Sequence, residues 1–179
     1  MGAALIERMG RGDAACNLAA TSLVANAYLA TGDDKCAAWV KEYVDAWIER
    51  TKNNSGVLPD NVGLSGQVGE YIDGKWYGGY YGWTWPHGWH HLSDACIAAA
   101  ENAALLHHDL SYMDWPRGQI DRLMDEGREH DGTLHAPHFY NDRGWDGYAP
   151  MQAGPTAQDR KSTRLNSSHS QQSRMPSSA

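Results

Sequence analysis

The pattern of apolar and polar residues divides the chain into helices of two kinds. The segments 14–31 and 92–107 are rich in Ala, apolar on most sides and nearly free of charge, which predicts helices that are buried all round. The segments 35–52 and 112–128 carry apolar and charged residues on opposite faces at helical spacing, which predicts helices on the outside of the molecule. The apolar face of the first outer helix consists of Trp39, Tyr43, Val44, Trp47 and Ile48.

Each inner helix is followed by an outer one, and the pair repeats. Between the first two helices, Gly32 ends one helix and Asp33 caps the next, so the two must run antiparallel. The sequence matches itself without gaps at an offset of 76 residues, which predicts a repeated helical hairpin. The identical pairs include Asn26 with Asn102, Leu29 with Leu105, Asp33 with Asp109, Trp39 with Trp115, Gly56 with Gly132 and Leu58 with Leu134. A third, partial copy is indicated at residues 4–8, which resemble residues 46–50.

The hairpin order predicts the fold class and the place of the long connections. The order of inner helix, tight turn, outer helix and long loop is typical of an α/α toroid or an α-solenoid. We expect an all-α protein of antiparallel helical hairpins, a partial α/α toroid with long aromatic loops, over residues 1–158. The antiparallel geometry predicts that the loops 53–89 and 129–152 emerge at the same end, beside the first residues of the inner helices.

One stretch of the first hairpin carries a family resemblance. The run Ala-Tyr-Leu-Ala-Thr-Gly-Asp-Asp-Lys at residues 27–35, the outer helix with its Trp and Tyr, and Gly-Val-Leu-Pro at 56–59 resemble the hairpin of six-hairpin glycosidase-like α/α toroids. The resemblance extends over residues 14–148, although the second copy has His107-His108-Asp109 in place of Thr-Gly-Asp. That superfamily includes glycoside hydrolases and polysaccharide lyases, so the resemblance implies a fragment of a carbohydrate-processing protein.

The last 21 residues, 159–179, differ in kind from the rest. Residues 159–169 match the in-frame translation of a standard short-read sequencing adapter, and residues 173–179 match its continuation. We interpret 159–179 as an artefactual, disordered tail and exclude it from the fold.

Charge, hydropathy and cysteine content narrow the classes of partner. The chain has 15 basic and 22 acidic residues. Residues 1–158 hold 11 and 21 of them, a net charge of −10, so we expect no nucleic-acid partner. No apolar run approaches the roughly 20 residues that span a bilayer, and we expect no membrane partner. The three cysteines show no metal-type spacing and are interpreted as small buried residues. Nothing in the sequence indicates a cofactor or a compartment.

The segment 71–91, called the aromatic loop below, is the main indication of a function. Its Trp and Tyr residues are separated by Gly and accompanied by Asp and His. Sugar rings stack on aromatic faces while their hydroxyls bind polar side chains, so we expect a carbohydrate substrate. The alternative is that the aromatic residues pack among the hairpins. The predicted substrate contacts are Trp76, Tyr77, Tyr80, Trp83, Trp85, His87, His138 and Trp145.

The predicted catalytic residues are His90, His91, Tyr81 and Asp60, and two mechanisms remain open. Asp60 paired with Asp73 or Asp94 would suit hydrolysis by two carboxylates. Tyr80 or Tyr81 with His90 or His91 would suit β-elimination from a uronic acid, with one group acting as base. The histidines are alternatively metal ligands, together with His135 or His138, or plain capping residues. No zinc spacing links them, and we predict no metal site.

The rival to an enzyme is a non-catalytic sugar-binding or scaffold module of helical repeats. A third possibility is a toroid that acts on a substrate other than sugar. Because a short array of hairpins leaves apolar faces uncovered, self-association is also expected.

Overall fold

The computed structural model describes residues 12–79, 82–84 and 87–150. Within them lie four α-helices: α1 (Thr21–Thr31), α2 (Asp34–Asn53), α3 (Gly88–His107) and α4 (Asp114–Asp125). Short 3₁₀ helices, Ala15–Ala20 and Leu110–Met113, precede α1 and α4. The partial copy at residues 4–8 and the tail 159–179 lie outside the described residues.

The two predicted helical hairpins form, and their turns are equivalent residue by residue. At the end of α1, Gly32 is left-handed with φ of 69°, and at the end of α3 its equivalent His108 is left-handed with φ of 53°. Asp33 then accepts a hydrogen bond from the Lys35 N–H at 3.0 Å, and Asp109 accepts one from the Ser111 N–H at 2.9 Å. The repeat offset of 76 residues therefore holds in the structure as well as in the sequence.

The prediction of an all-α fold is wrong, because the part of the chain that the structure describes contains seven short strands before, between and after the helices. These are β1 (Gly12–Ala14), β2 (Asn61–Gly63), β3 (Arg128–His130), β4 (Thr133–Ala136), β5 (Phe139–Asn141), β6 (Gly144–Asp146) and β7 (Ala149–Pro150). They form three small antiparallel sheets, in the order β1-β2, β3-β4-β7 and β5-β6. The protein is therefore mixed, with small sheets built from the segments that flank the helices.

The predicted loop 129–152 becomes two hairpins because its turns favour them. Asp131 and Gly132 connect β3 to β4 with φ of 50° and 71°, the positive values that a tight two-residue hairpin turn requires. In the turn between β5 and β6, the Asn141 side chain accepts from the Arg143 N–H at 2.8 Å, and Gly144 follows with φ of 99°. Such Asp, Asn and Gly turns between short apolar runs are typical of β-hairpins.

The core is built around α3. Its residues Leu92, Cys96, Ala99 and Ala103 are fully buried, and it packs against the first 3₁₀ helix, α1, α2 and the second 3₁₀ helix. The core continues through large apolar residues on the other elements, with Leu18, Val40, Val44, Trp47, Leu58 and Trp83 all buried.

The prediction that both inner helices are buried all round is wrong for α1 and holds only in part for α3, whose Asp94, Glu101 and Leu105 are exposed. On α1, Leu23 is 76% exposed and Leu29 is 64% exposed, because α1 meets the rest of the protein along one side. Among the described residues, no helix is long and apolar enough to cross a membrane.

Candidate functional site

The aromatic loop folds around the carboxylate of Asp60, which is completely buried. Oδ2 of Asp60 accepts from the backbone N–H groups of Gly78 at 3.0 Å, Gly79 at 3.1 Å and Trp83 at 2.9 Å. Oδ1 accepts from the Asn61 amide at 2.7 Å. Burial raises the pKa of Asp60 to about 6, against the opposing effect of these donors. Asp60 therefore holds the loop closed and exposes no surface to a substrate.

Two further contacts fix the same part of the loop. A Cβ at Gly82 would overlap the Asp60 side chain, so only glycine leaves room for the carboxylate. Trp83, which is 1% exposed, donates its indole N–H to the Leu58 carbonyl at 2.6 Å. The alternative in which the aromatic residues of this loop pack within the fold is therefore confirmed for Trp83.

The loop and the β5–β6 hairpin share a cluster of aromatic rings. Trp83 lies 5.1 Å from Trp145 in an edge-to-face arrangement, and Trp76 lies 4.5 Å from Tyr140, measured between ring centroids. Trp83 also stacks on Trp89 at 5.7 Å. Edge-to-face and offset pairs of this kind stabilise a fold beyond the area that they bury, so the cluster holds the two segments as one unit.

Backbone hydrogen bonds join the same two segments. The Tyr140 N–H donates to the Trp83 carbonyl at 2.8 Å, and the Trp89 N–H donates to the His138 carbonyl at 2.8 Å. The two long connections therefore meet at the start of α3, which confirms their predicted position at one end of the hairpins.

Between them lies an open cleft of about 500 Å³. One wall comes from the aromatic loop and the other from the turn of the β5–β6 hairpin. The lining residues are Ile72, Asp73, Lys75, Tyr77, Gly78, Thr84, Asn141, Asp142 and Arg143.

Three hydrogen-bonded polar side chains connect the two walls of the cleft. Asp142 accepts from the Lys75 ammonium at 2.7 Å and from the Tyr77 hydroxyl at 3.0 Å. The hydrogen bond from Lys75 lowers the pKa of Asp142, which keeps that carboxylate ionised at neutral pH. The Lys75 ammonium also lies 5.7 Å from the centre of the Tyr77 ring, within cation–π range. The cleft thus presents one aromatic face bordered by both signs of charge.

The predicted histidines His87, His90 and His91 lie at the start of α3 and His138 directly precedes β5, and the four rings form two pairs. The rings of His90 and His138 are 5.4 Å apart, and those of His87 and His91 are 5.1 Å apart. Burial lowers the pKa of His138, and the neighbouring His90 adds to this effect. Strand β5 follows His138 and leads to the cleft at Asn141, a rise of roughly 10 Å for the three residues from 138 to 141.

The other predicted residues are distributed between the cleft, the cluster and the undescribed part of the chain. Tyr77 lines the cleft, while Trp76 and Trp145 belong to the aromatic cluster. Tyr80, Tyr81 and Trp85 lie outside the described residues. Asp73 lines the cleft, whereas Asp94 is exposed on α3.

Sequence reasoning missed the cleft's second wall. The sequence predicts only a long loop over residues 129–152, so it does not place Asn141, Asp142 and Arg143 in a site. The Asn-Asp-Arg-Gly run at 141–144 is itself a turn signal, and it could have indicated a hairpin that presents these side chains. Among the described residues, no group of three His, Cys, Asp or Glu side chains is placed to hold a metal ion.

Comparison with known proteins relates the chain to a family. A family model described as Domain of unknown function (DUF8034) matches residues 1–168. No curated protein and no solved structure matches the chain. A function therefore has to be inferred from the geometry of the cleft.

Proposed function

The chain belongs to the family described as Domain of unknown function (DUF8034). From the geometry of the cleft, we propose that the protein binds carbohydrate as part of a carbohydrate-processing protein. The observation that carries this proposal is the half-buried Tyr77 ring, set in an open cleft of about 500 Å³ among charged and amide side chains. That volume falls in the range of small-molecule sites.

The chemistry of the lining suits a sugar. A pyranose ring offers C–H groups on its faces and hydroxyls around its edge, so it binds an aromatic face flanked by hydrogen-bonding groups. Tyr77 supplies the face, and Lys75, Asn141 and Asp142 supply donors and acceptors at its edge. The mixture of charges favours hydroxyl groups over a ligand of a single strong charge.

The walls are held in place before any ligand binds. The Asp60 hydrogen bonds fix Gly78 and Gly79 next to Tyr77, and the aromatic cluster fixes the hairpin that carries Asn141 and Asp142. A preformed site loses less conformational entropy when it binds, which supports binding as the function of this cleft.

A glycoside hydrolase or polysaccharide lyase activity is the wider proposal, with His90 and His138 as the candidate acid and base. The lowered pKa of His138 favours a neutral imidazole, which is the form that a general base needs. In this proposal Asp60 positions the loop and does not react, since its carboxylate is fully buried and hydrogen bonded.

The second candidate is a non-catalytic sugar-binding module. The burial of Asp60 favours it, because the carboxylate proposed for hydrolysis does not reach the cleft. Reducing-end and unsaturated-uronate assays on a panel of neutral and uronic-acid polysaccharides separate the candidates: turnover supports the enzyme, and binding without turnover supports the module.

The binding proposal is tested by calorimetry with the full chain and the same panel as oligosaccharides. Tyr77→Ala removes the aromatic face and should raise the Kd at least about tenfold, or 1.4 kcal/mol. Tyr77→Phe keeps the ring and should retain most of the affinity. Trp39→Ala removes a 41% exposed aromatic on α2, outside the cleft, and should leave the Kd unchanged. Equal binding by Tyr77→Ala and the unaltered chain would overturn the proposal.

A further inference from the structure

The two repeats differ in the exposure of one helix face, which is covered in the second hairpin and uncovered in the first. On α3, Ala99 and Ala103 are fully buried, and this helix packs on the first 3₁₀ helix and α1. Their equivalents at the offset of 76 residues are Leu23 and Ala27, and both are exposed, Leu23 by 76%. The same register of the inner helix is therefore core in one copy and surface in the other.

The outer helices show the same difference. Trp115 is 7% exposed and donates its indole N–H to the Thr51 hydroxyl of the first hairpin at 3.1 Å. Its equivalent Trp39 is 41% exposed. The uncovered face thus extends over both helices of the first hairpin.

Polar side chains form a specific hydrogen-bonded contact between the inner helices of the two hairpins. The Asn102 amide donates to the hydroxyls of Thr21 and Ser22 across the α1–α3 interface, each at 3.0 Å. The equivalent Asn26 instead donates to the Ser22 carbonyl of its own helix at 2.8 Å. Asn26 carries the group that forms the inter-hairpin bond in the other copy.

On the opposite side of the array, the exposed face of the second hairpin carries charged residues. The surface of the first hairpin that receives α3 and α4 includes buried Leu18, Ala25 and Thr51. In the second hairpin, the equivalents of Leu18 and Ala25 are Asp94 and Glu101, both exposed, and the equivalent of Thr51 is Gly127. A further hairpin that packed there in the same way would bury two carboxylates, which is costly. The α1 side has no such charges at Leu23, Asn26, Ala27 and Trp39, so it is the favoured side for a further hairpin.

We propose that the face formed by Leu23, Asn26, Ala27 and Trp39 binds one further helical hairpin of the same repeat type. Its partner is an uncharged inner helix that presents Leu, Thr, Ser and Ala as the first hairpin does at positions 18, 21, 22 and 25, with a hydroxyl to accept from the Trp39 indole. This interface repeats the one between the two hairpins of the structure. It does not depend on what the cleft binds.

A tandem chain tests the proposal with the full protein. Residues 12–87, one repeat length, are inserted a second time ahead of Gly12, and Leu23→Cys is placed in the original copy. Thiol labelling is followed by peptide mapping, which separates the introduced thiol from the native cysteines. Docking of the added hairpin should slow labelling of the introduced thiol at least about tenfold relative to the single chain with the same substitution, the size expected for a side chain covered by a stable contact.

The matched control gives the added hairpin the charged residues that the second hairpin carries at the equivalent positions. Leu18→Asp and Ala25→Glu in the added hairpin reproduce the charges of Asp94 and Glu101, and they should restore the labelling rate of the single chain. An unprotected thiol at position 23 of the tandem chain, whether or not the added helices form, would overturn the proposal. A second result would also overturn it: protection of that thiol in the single chain at high concentration, together with a dimer in analytical ultracentrifugation. The face would then be covered by a second copy of the chain.

Discussion

At the scale of the residue, Asp60 determines the conformation of the aromatic loop, which forms one wall of the cleft. A buried carboxylate is costly unless it is hydrogen bonded, and here the N–H groups of Gly78, Gly79 and Trp83 satisfy it. These donors belong to the loop, so the loop closes only in the conformation that brings them together. A short acidic side chain thereby organises a segment that is rich in glycine and would otherwise have many conformations.

Gly82→Ala should destabilise the protein, because the new Cβ would overlap the Asp60 side chain. We expect the free energy of unfolding to fall by about 3 kcal/mol, the upper range for overpacking. The control is Gly118→Ala, since a Cβ at this helical glycine of α4 meets nothing within 4 Å. That substitution should stabilise the protein by about 0.5–1 kcal/mol. Urea denaturation of both variants measures the difference, and equal effects would contradict the role of Gly82.

Asp60 should titrate near pH 6, because burial raises its pKa from the ordinary 3.8 to about 6. A pKa that is higher in the folded state means that the folded protein binds the proton more tightly. The contribution of Asp60 to the free energy of unfolding is then fully present below pH 3.8 and is lost as the pH rises through about 6. Carboxyl ¹³C NMR of the chain, with Asp60→Asn to assign the resonance, measures this pKa. A value below 4 would show that the N–H donors outweigh burial.

At the scale of the element, the β5–β6 hairpin and the aromatic loop act as one unit. The hairpin contributes Tyr140 and Trp145 to the aromatic cluster and a backbone bond from the Tyr140 N–H to the Trp83 carbonyl. Two short strands are marginal alone in water, so this hairpin depends on the rings beneath it.

Trp145→Ala should release the hairpin from the loop. We expect a loss of about 3 kcal/mol in the free energy of unfolding, at the low end for removal of a packed aromatic ring. Hydrogen exchange at the Tyr140 amide should accelerate more than exchange within α3. Trp145→Phe, which keeps an aromatic ring, serves as the control and should preserve most of the protection. Unchanged exchange at Tyr140 in the alanine variant would show that the hairpin is held by other contacts.

The helices were predictable from the sequence because their signals are local. The Gly32 and Asp33 caps, and their equivalents at the offset of 76 residues, indicate where the helices end and begin. The strands were missed because each is at most four residues long, too short for an alternating pattern to stand out. Their pairing depends on turns such as Asp131-Gly132 and on contacts between aromatic residues that are distant in the sequence, and a single sequence does not show such contacts.

At the scale of the whole molecule, the described residues form two helical hairpins with the cleft at one end and an apolar face along one side. The placement of the two long connections at the same end was predictable, because antiparallel hairpins allow no other. The cleft itself was not, since Lys75 and Asp142 meet only when the hairpin at 139–146 packs on the aromatic loop. Charged residues 67 positions apart give no signal in a single sequence.

Deleting residues 159–179 should leave the free energy of unfolding within a few tenths of a kcal/mol, the usual effect of changes away from packed features. The prediction follows from the match of this tail to a translated adapter. Thermal unfolding of the full chain and of a chain ending at Gln158 measures the difference. A large loss of stability on deletion would show that the tail packs on the fold.

The most direct test of carbohydrate binding is an NMR titration of the ¹⁵N-labelled chain with neutral and uronic-acid oligosaccharides. If the cleft is the binding site, at least one oligosaccharide should shift the amide signals of Lys75, Tyr77, Gly78, Asn141 and Arg143 in a saturable way. The amides of α2 should stay unchanged under the same conditions and provide the internal control. Saturable shifts confined to residues outside the cleft, or no shifts with any member of the panel, would contradict the proposed function.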